Sequence, residues 1–142
     1  MTEPLLTPVL DDDGAPFWGY AAQGELRIQA CADCGELRFP PRPCCPHCRS
    51  FGSEWRRMSG LGRVWSYVVP HPPLLPAYAA LAPYNAIVVE LAEARTSAWS
   101  ATWSRRRAPC SAPSPDRIRI GARVRVVFGG EGLPQWVLDG RS

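Results

Sequence analysis

Residues Cys31–Cys48 read CADCGELRFPPRPCCPHC and contain five of the six cysteines of the chain. It contains two Cys-x-x-C pairs, Cys31/Cys34 and Cys45/Cys48, separated by the ten residues GELRFPPRPC. Each pair can present two thiolates from one tight turn, and two facing turns form the tetrahedral four-sulfur shell that Zn²⁺ prefers. Because such a shell leaves no open position for water or substrate, the spacing predicts a structural zinc site.

Alternatives to this site remain open at the level of sequence. A thioredoxin-like redox pair requires Cys-x-x-C at a helix N-terminus, whereas proline-rich sequence surrounds both pairs here. Iron in the same four-sulfur cage would make a rubredoxin-like electron carrier. Cys44 or His47 could also replace one thiolate, but the symmetric spacing favours Cys45. Cys44 is then expected to be a small packed side chain and Cys110 a free thiol.

The composition indicates one main folded domain built from short strands. The chain has 142 residues, 46% of them hydrophobic, and its sixteen prolines and twelve glycines suit strands joined by turns. The net charge of +3 is too small to indicate nucleic-acid binding by itself. All sixteen basic residues are arginines, which excludes a lysine Schiff base and a lysine-dependent phosphate loop.

The start of the chain, MTEPLLTPVLDDDGAPFWGY, does not have the features of a secretory signal. No stretch approaches the roughly 20 apolar residues that are needed to span a bilayer. We therefore expect a cytoplasmic protein with no membrane association. Thiols stay reduced in that compartment, which favours metal binding by the cysteines over disulfide formation.

Hydrophobic patterning predicts a mainly β chain with one short N-terminal helix. The segment APFWGYAAQGEL is typical of two or three helical turns that end at Gly24. Alternation of apolar and polar residues predicts strands at Leu26–Ala30, Gly62–Val69, Asn85–Glu93 and Ala122–Phe128, with a last short strand in LPQWVL. Four or five strands with glycine turns fit a C-terminal OB-fold, a small Greek-key barrel.

Three segments are expected along the chain. Residues 1–30 form an N-terminal arm and helix, residues 31–57 form the zinc ribbon, and residues 58–142 form the barrel. An irregular insertion interrupts the barrel near residues 95–115, where RTSAWSATWSRRRAPCSAPSP contains four arginines and no acidic residue. Removing those arginines would change the net charge from +3 to −1, so the basic character of the chain resides in this insertion.

The order of the motifs resembles the DUF35 family. That order is PFWGYAAQGEL, the two cysteine pairs joined by RFPPRP, SGLGRVWSYVVPH, PYNAIVVELAE, DRIRIGARVRVVF and a terminal LPQW. The resemblance covers most of the chain and fails from Arg95 to about Pro115. It implies an N-terminal helical hairpin, a rubredoxin-like zinc ribbon and a C-terminal OB-fold.

The resemblance also implies a role and a set of ligands. DUF35 proteins assemble with thiolase-like or ketosynthase-like enzymes as accessory subunits, and their barrel face contributes to the acyl-CoA site. Cys31, Cys34, Cys45 and Cys48 carry over as zinc ligands, whereas no catalytic residue and no acyl-CoA-binding residue carries over. Cys44 departs from the apolar residue that is usual at that position.

Three aromatic residues of the predicted helix, Phe17, Trp18 and Tyr20, are candidates for binding a partner enzyme. A helix this short must pack against something, so packing in the core of the same chain is the alternative. His71 lies between two prolines without an acid or nucleophile beside it, and we expect no general-base role for it.

A function of another class is single-stranded nucleic-acid binding, because OB-folds stack bases on aromatic side chains beside a basic groove. Trp65 and Tyr67 would supply the rings, and Arg123 and Arg125 would supply the charge. We regard nucleic acid as the weaker prediction, because the strongest basic run, Arg105–Arg107, lies in the irregular insertion.

Overall fold

The computed structural model describes residues 8–80, 82, 84–93, 118–129 and 132–140. Within these ranges the chain forms two short helices and two antiparallel sheets. The helices are α1 (Ala15–Ala22) and α2 (Pro76–Ala79). The strands are β1 (Arg27–Cys31), β2 (Leu37–Arg38), β3 (Ser53–Arg57), β4 (Leu61–Val68), β5 (Ala86–Leu91), β6 (Arg123–Phe128) and β7 (Pro134–Leu138).

The first sheet carries the cysteine region and has the strand order β2-β1-β3. Strand β1 pairs with both neighbours, so that Gln29 lies between Arg38 of β2 and Trp55 of β3. Strand β2 has two residues, and four of the five residues of β3 are exposed. Strands this short bury too little apolar surface to be stable by themselves, so the ribbon requires an additional constraint.

The second sheet has the strand order β5-β4-β6-β7. Its inner face is formed by buried aliphatic residues, among them Val64, Val89 and Val124. Gly62 allows β4 and β5 to approach closely, because a Cβ at this position would lie 2.5 Å from Val89 Cγ1 and 2.6 Å from the carbonyl oxygen of Glu90. The absence of a side chain at residue 62 therefore sets the spacing of the two strands.

One hydrophobic core connects the ribbon, the helix and the second sheet. It consists of Phe17, Leu26, Ile28, Met58, Val64, Ile87, Val89, Leu91, Ile118, Val124 and Trp136. The turn before β7 also packs against the end of α1, where a Cβ at Gly132 would lie 2.7 Å from the Cα of Ala22. Gly132 has a φ of +70°, a conformation that favours glycine. Glycine is therefore favoured at this position both by the backbone conformation and by the close contact with Ala22.

The mainly β class and the short N-terminal helix are confirmed, and the predicted strands agree with β1, β4, β5, β6 and β7 to within two residues at each end. The ribbon strands β2 and β3 and the short helix α2 were not predicted. Residues 8–30 contain one helix, whereas the family resemblance implied a helical hairpin. The expected insertion at 95–115 lies outside the described residues, and the three segment boundaries stay predictions. No helix in the described ranges is long and apolar enough to cross a membrane.

Candidate metal centre

The side chains of Cys31, Cys34, Cys45 and Cys48 converge between two turns of the ribbon, and their sulfur atoms all lie within 4.8 Å of one another. The Sγ–Sγ distance is 3.5 Å between Cys31 and Cys48 and 3.7 Å between Cys34 and Cys45. A tetrahedral zinc ion with Zn–S bonds of about 2.3 Å spaces its sulfurs about 3.8 Å apart. The four predicted cysteines therefore form a cage of the size that a zinc ion requires.

The two Cys-x-x-C turns have matching backbone geometry. In the first turn the N–H of Gly35 donates to the carbonyl of Cys31 at 3.0 Å, and in the second the N–H of Arg49 donates to the carbonyl of Cys45 at 2.9 Å. Gly35 has a φ of 76° and Arg49 a φ of 64°, so both turns close through a left-handed residue. This conformation suits glycine but costs about 1–2 kcal/mol for other residues, so the second turn is the strained one.

Backbone N–H groups make two of the four thiols unusually acidic. The N–H of Cys34 donates to the sulfur of Cys31 and is the main reason why the pKa of Cys31 falls to about 6. The N–H of Cys48 acts in the same way on Cys45, whose pKa is also lowered. A thiolate is the form that binds a metal ion, so these two sulfurs are prepared for coordination.

The other two thiols resist ionisation. The N–H of Ser50 favours the Cys48 thiolate, but the sulfur of Cys31, burial and the remaining thiols outweigh it and raise the pKa of Cys48 to about 12. For Cys34, the N–H of Glu36 is likewise outweighed, by burial and by neighbouring thiols, and the pKa is raised. Four thiolates this close together would repel one another, so full ionisation of the cage requires a cation.

A hydrogen-bonded link joins the two turns independently of a metal. The hydroxyl of Ser50, just after the second pair, donates to the carboxylate of Asp33 within the first pair. The same hydroxyl accepts the N–H of Gly52 at 3.0 Å, and the carbonyl of Ser50 accepts the N–H of Cys45 at 2.8 Å. Asp33 and Ser50 were not among the predicted site residues, because nothing in the cysteine spacing singles them out.

The fifth cysteine lies outside the cage. Cys44 is half-buried, and its sulfur lies 3.4 Å from the carbonyl oxygen of Arg49, whereas Cys45 is fully buried among the other cage sulfurs. His47 is exposed and does not belong to the cage. The geometry therefore favours Cys45 over both alternatives. Cys110 lies outside the described residues.

The three helix aromatics have different environments. Phe17 is 3% exposed, and its ring lies 5.3 Å from that of Phe39, which makes it a core residue of its own chain. Trp18 and Tyr20 are half-buried, and the Tyr20 ring lies under the guanidinium of Arg27 at 4.5 Å. Burial leaves the Phe17 ring almost no surface for a partner, while partner contact through Trp18 and Tyr20 stays a prediction.

The strand register changes between the two aromatic residues considered for nucleic-acid stacking. The pairing of β4 with β5 shifts by one residue between Val64 and Ser66, which makes a β-bulge at Trp65. After the shift Tyr67 lies opposite the buried Ile87, while Tyr67 itself is 37% exposed and Trp65 is 46% exposed. Base stacking on these two rings stays a prediction.

Comparison with known protein families matches both parts of the chain. Residues 18–54 match the family described as "ChsH2, rubredoxin-like zinc ribbon domain". Residues 55–129 match the family described as "ChsH2, C-terminal OB-fold domain". The predicted combination of a zinc ribbon and an OB-fold is confirmed.

Several curated proteins are similar to this chain. A "Probable enoyl-CoA hydratase alpha subunit" of Thermomonospora curvata is 39% identical over 82% of this chain and 33% of its own length. A "3-oxo-4,17-pregnadiene-20-carboxyl-CoA hydratase alpha subunit" of Mycobacterium tuberculosis is 32% identical over 96% of this chain and 39% of its own length. The chain thus spans only 33% and 39% of the lengths of these two relatives. A "DUF35 domain-containing scaffold protein" of Methanothermobacter thermautotrophicus is 37% identical over 78% of this chain and 77% of its own length.

Solved structures agree with the fold. A chain of a structure described as an "Ltp2-ChsH2(DUF35) aldolase" superposes with a TM-score of 0.71 at 36% identity and covers 92% of this chain and 96% of that chain. A DUF35 protein of Sulfolobus solfataricus superposes with a TM-score of 0.61 at 15% identity over 90% of this chain and 86% of that chain, which bears on the fold alone.

Serine substitutions separate the two candidate ligands of the second turn. We expect Cys45→Ser to lose most of the bound zinc, because it removes a buried sulfur of the cage, and Cys44→Ser to keep about one zinc ion per chain. Metal analysis of purified protein measures both. The opposite result, with zinc lost only in Cys44→Ser, would move the ligand to Cys44.

The left-handed residue of the second turn gives a prediction about stability. We expect Arg49→Gly to raise the free energy of unfolding by about 1 kcal/mol, because glycine adopts this conformation without the steric cost. Gly35→Ala is the matched control at the equivalent position and should lower it by a similar amount. Denaturant titration of the zinc-loaded protein measures both, and a stability loss in Arg49→Gly would contradict the equivalence of the two turns.

Proposed function

The chain belongs to the DUF35 family of ChsH2-type proteins, in which a rubredoxin-like zinc ribbon precedes an OB-fold, and from this membership we propose that it is an accessory subunit of a thiolase-like acyl-CoA enzyme. In this role it binds and scaffolds the enzyme and performs no chemistry itself. The observation that carries the proposal is a four-cysteine cage on a ribbon whose first sheet shares one hydrophobic core with the barrel.

The proposed ligands of a structural zinc ion are Cys31, Cys34, Cys45 and Cys48. Their spacing and their mutual distances suit a tetrahedral ion, and the matching family is described as a zinc ribbon. Zinc supplies charge neutralisation and closure of the ribbon. With four thiolate ligands it has no position for water or substrate, so we assign it no catalytic step.

The names of similar proteins support an accessory role. The Methanothermobacter relative is named a scaffold protein, and two others are named alpha subunits, which are parts of assemblies. The similar structure named an Ltp2-ChsH2(DUF35) aldolase pairs a DUF35 chain with a second protein. We propose a thiolase-like or ketosynthase-like enzyme as the partner of this chain, in the cytoplasm, where thiols stay reduced.

Exposed apolar side chains supply a surface on which such an enzyme could bind. Phe51, on the ribbon just after the second turn, is 78% exposed, and Trp65 and Val68 on β4 are 46% and 56% exposed. Large apolar side chains at a surface are favoured contacts in subunit interfaces. We propose these residues, together with Trp18 and Tyr20, as the docking surface; acyl-CoA would bind where the enzyme meets the barrel, and we assign it no residue.

Co-expression with a thiolase-like enzyme from the same organism tests the proposal. We expect the two proteins to co-purify as a complex of fixed stoichiometry, and we expect the enzyme to lose activity when this chain is omitted. Phe51→Ser should weaken the complex roughly 10-fold, because it removes an exposed aromatic contact while leaving the core intact.

Val9→Ser is the matched control, since Val9 is 91% exposed and is not one of the proposed docking residues. It should leave the complex unchanged. Elution of this chain by itself, with no effect on the activity of the enzyme, would contradict the accessory role. Visible absorbance of the purified protein would instead indicate iron in the cage and an electron-transfer role.

A further inference from the structure

A buried arginine in the ribbon has an unusual environment. Arg38 is 4% exposed, and its Nε donates to the side-chain oxygen of Gln29 at 2.7 Å and to the carbonyl of Arg42 at 3.1 Å. The same oxygen of Gln29 accepts the backbone N–H of Arg42 at 2.8 Å. The Nη1 and Nη2 atoms of Arg38 are also buried, yet within the described ranges neither has a hydrogen-bond partner. Four N–H groups of the charged Arg38 guanidinium are thus buried without hydrogen-bond acceptors among the described residues.

The ion pairs among the described residues do not supply a counter-charge for Arg38. Glu25 pairs with Arg27 at 2.7 Å, and Glu54 pairs with Arg56 at 2.7 Å. Arg38 forms no salt bridge with any described residue. A buried charge costs several kcal/mol unless it is paired and hydrogen-bonded. An arginine side chain cannot avoid this cost by losing a proton. Among the described residues, the guanidinium of Arg38 therefore lacks a counter-charge and acceptors for its Nη atoms.

The hydrogen bonds at Nε determine which kind of ligand the rest of the Arg38 guanidinium can bind. Because Gln29 and the Arg42 carbonyl occupy Nε, the guanidinium is held by one edge, and its free edge is the Nη1/Nη2 fork. Two parallel N–H donors on a planar fork match the two oxygens of a carboxylate or phosphate. We propose that Arg38 is an oxyanion-binding residue, whose Nη1 and Nη2 atoms take one carboxylate or phosphate group.

Binding requires a local movement, since both Nη atoms are shielded from solvent. At its Nε edge the guanidinium contacts the linker between the two turns, in which Pro40, Arg42 and Pro43 are exposed. The oxyanion has two sources, which are an acidic side chain of a bound enzyme subunit, as the proposed function supplies, or a free small anion.

The test uses the zinc-loaded full chain and the variants Arg38→Met, Arg38→Lys and Arg42→Met. Arg42→Met is the matched control, because it removes an exposed neighbouring charge and keeps the backbone groups that contact Gln29 and Arg38. Thermal unfolding is measured with inorganic phosphate and with potassium chloride at equal ionic strength. Affinity is measured for the enzyme subunit that co-purifies with the chain.

We expect Arg38→Met to unfold at a higher temperature than the wild type without phosphate, because a buried unpaired charge has been removed. For a free anion, phosphate raises the unfolding temperature of the wild type more than chloride does, and Arg38→Met loses that response. For an enzyme carboxylate, Arg38→Met weakens the complex about 10-fold or more and Arg38→Lys restores part of the affinity. Arg42→Met changes none of these.

A lower unfolding temperature of Arg38→Met would overturn the proposal, because Arg38 would then be a structural residue. The proposal would also be overturned if Arg38→Met unfolded at a higher temperature but matched the wild type in its response to phosphate and in its affinity for the enzyme. No oxyanion would then bind at Arg38. If no enzyme co-purifies, the proposed function fails by itself, and the phosphate comparison still decides whether Arg38 binds an anion.

Discussion

Four sulfur atoms held within 4.8 Å of one another repel each other when ionised, and a cation between them converts this repulsion into a crosslink. We propose that the ribbon depends on this crosslink. Its strands are short, with two residues in β2 and five in each of β1 and β3, and they enclose little apolar surface of their own. Metal binding by such a ribbon is worth on the order of 10 kcal/mol, which exceeds what these strands can supply.

The barrel is connected to the ribbon through a shared hydrophobic core. Leu26 and Ile28 of the ribbon belong to the core that also contains Val64 and Trp136, and the N–H of Met58 donates to the carbonyl of Leu26 at 2.8 Å. Loosening the ribbon would therefore open the core beneath the barrel. The shared core supports the proposed scaffold role, because it holds the surfaces on the ribbon and on β4 in one folded unit.

The sequence predicted best those structural features that depend on residues close together in the chain. Cysteine spacing is set by the geometry of one turn, and alternation of apolar residues reports a half-buried strand, so the metal cage and most barrel strands could be predicted. Strand β3 (Ser53–Arg57) could not, because SEWRR is a mostly exposed edge whose pairing is imposed by the ribbon. The bulge at Trp65, the left-handed Arg49 and the incomplete environment of Arg38 depend on tertiary contacts, which no local pattern encodes.

The metal cage is the premise of this account, and X-ray absorption spectroscopy at the zinc edge of the purified protein tests it most directly. We predict a single shell of four sulfur atoms at about 2.3 Å. A shell with fewer sulfurs and with nitrogen or oxygen at about 2.0–2.2 Å would contradict it, because His47 or water would then hold a ligand position that the structure gives to Cys45.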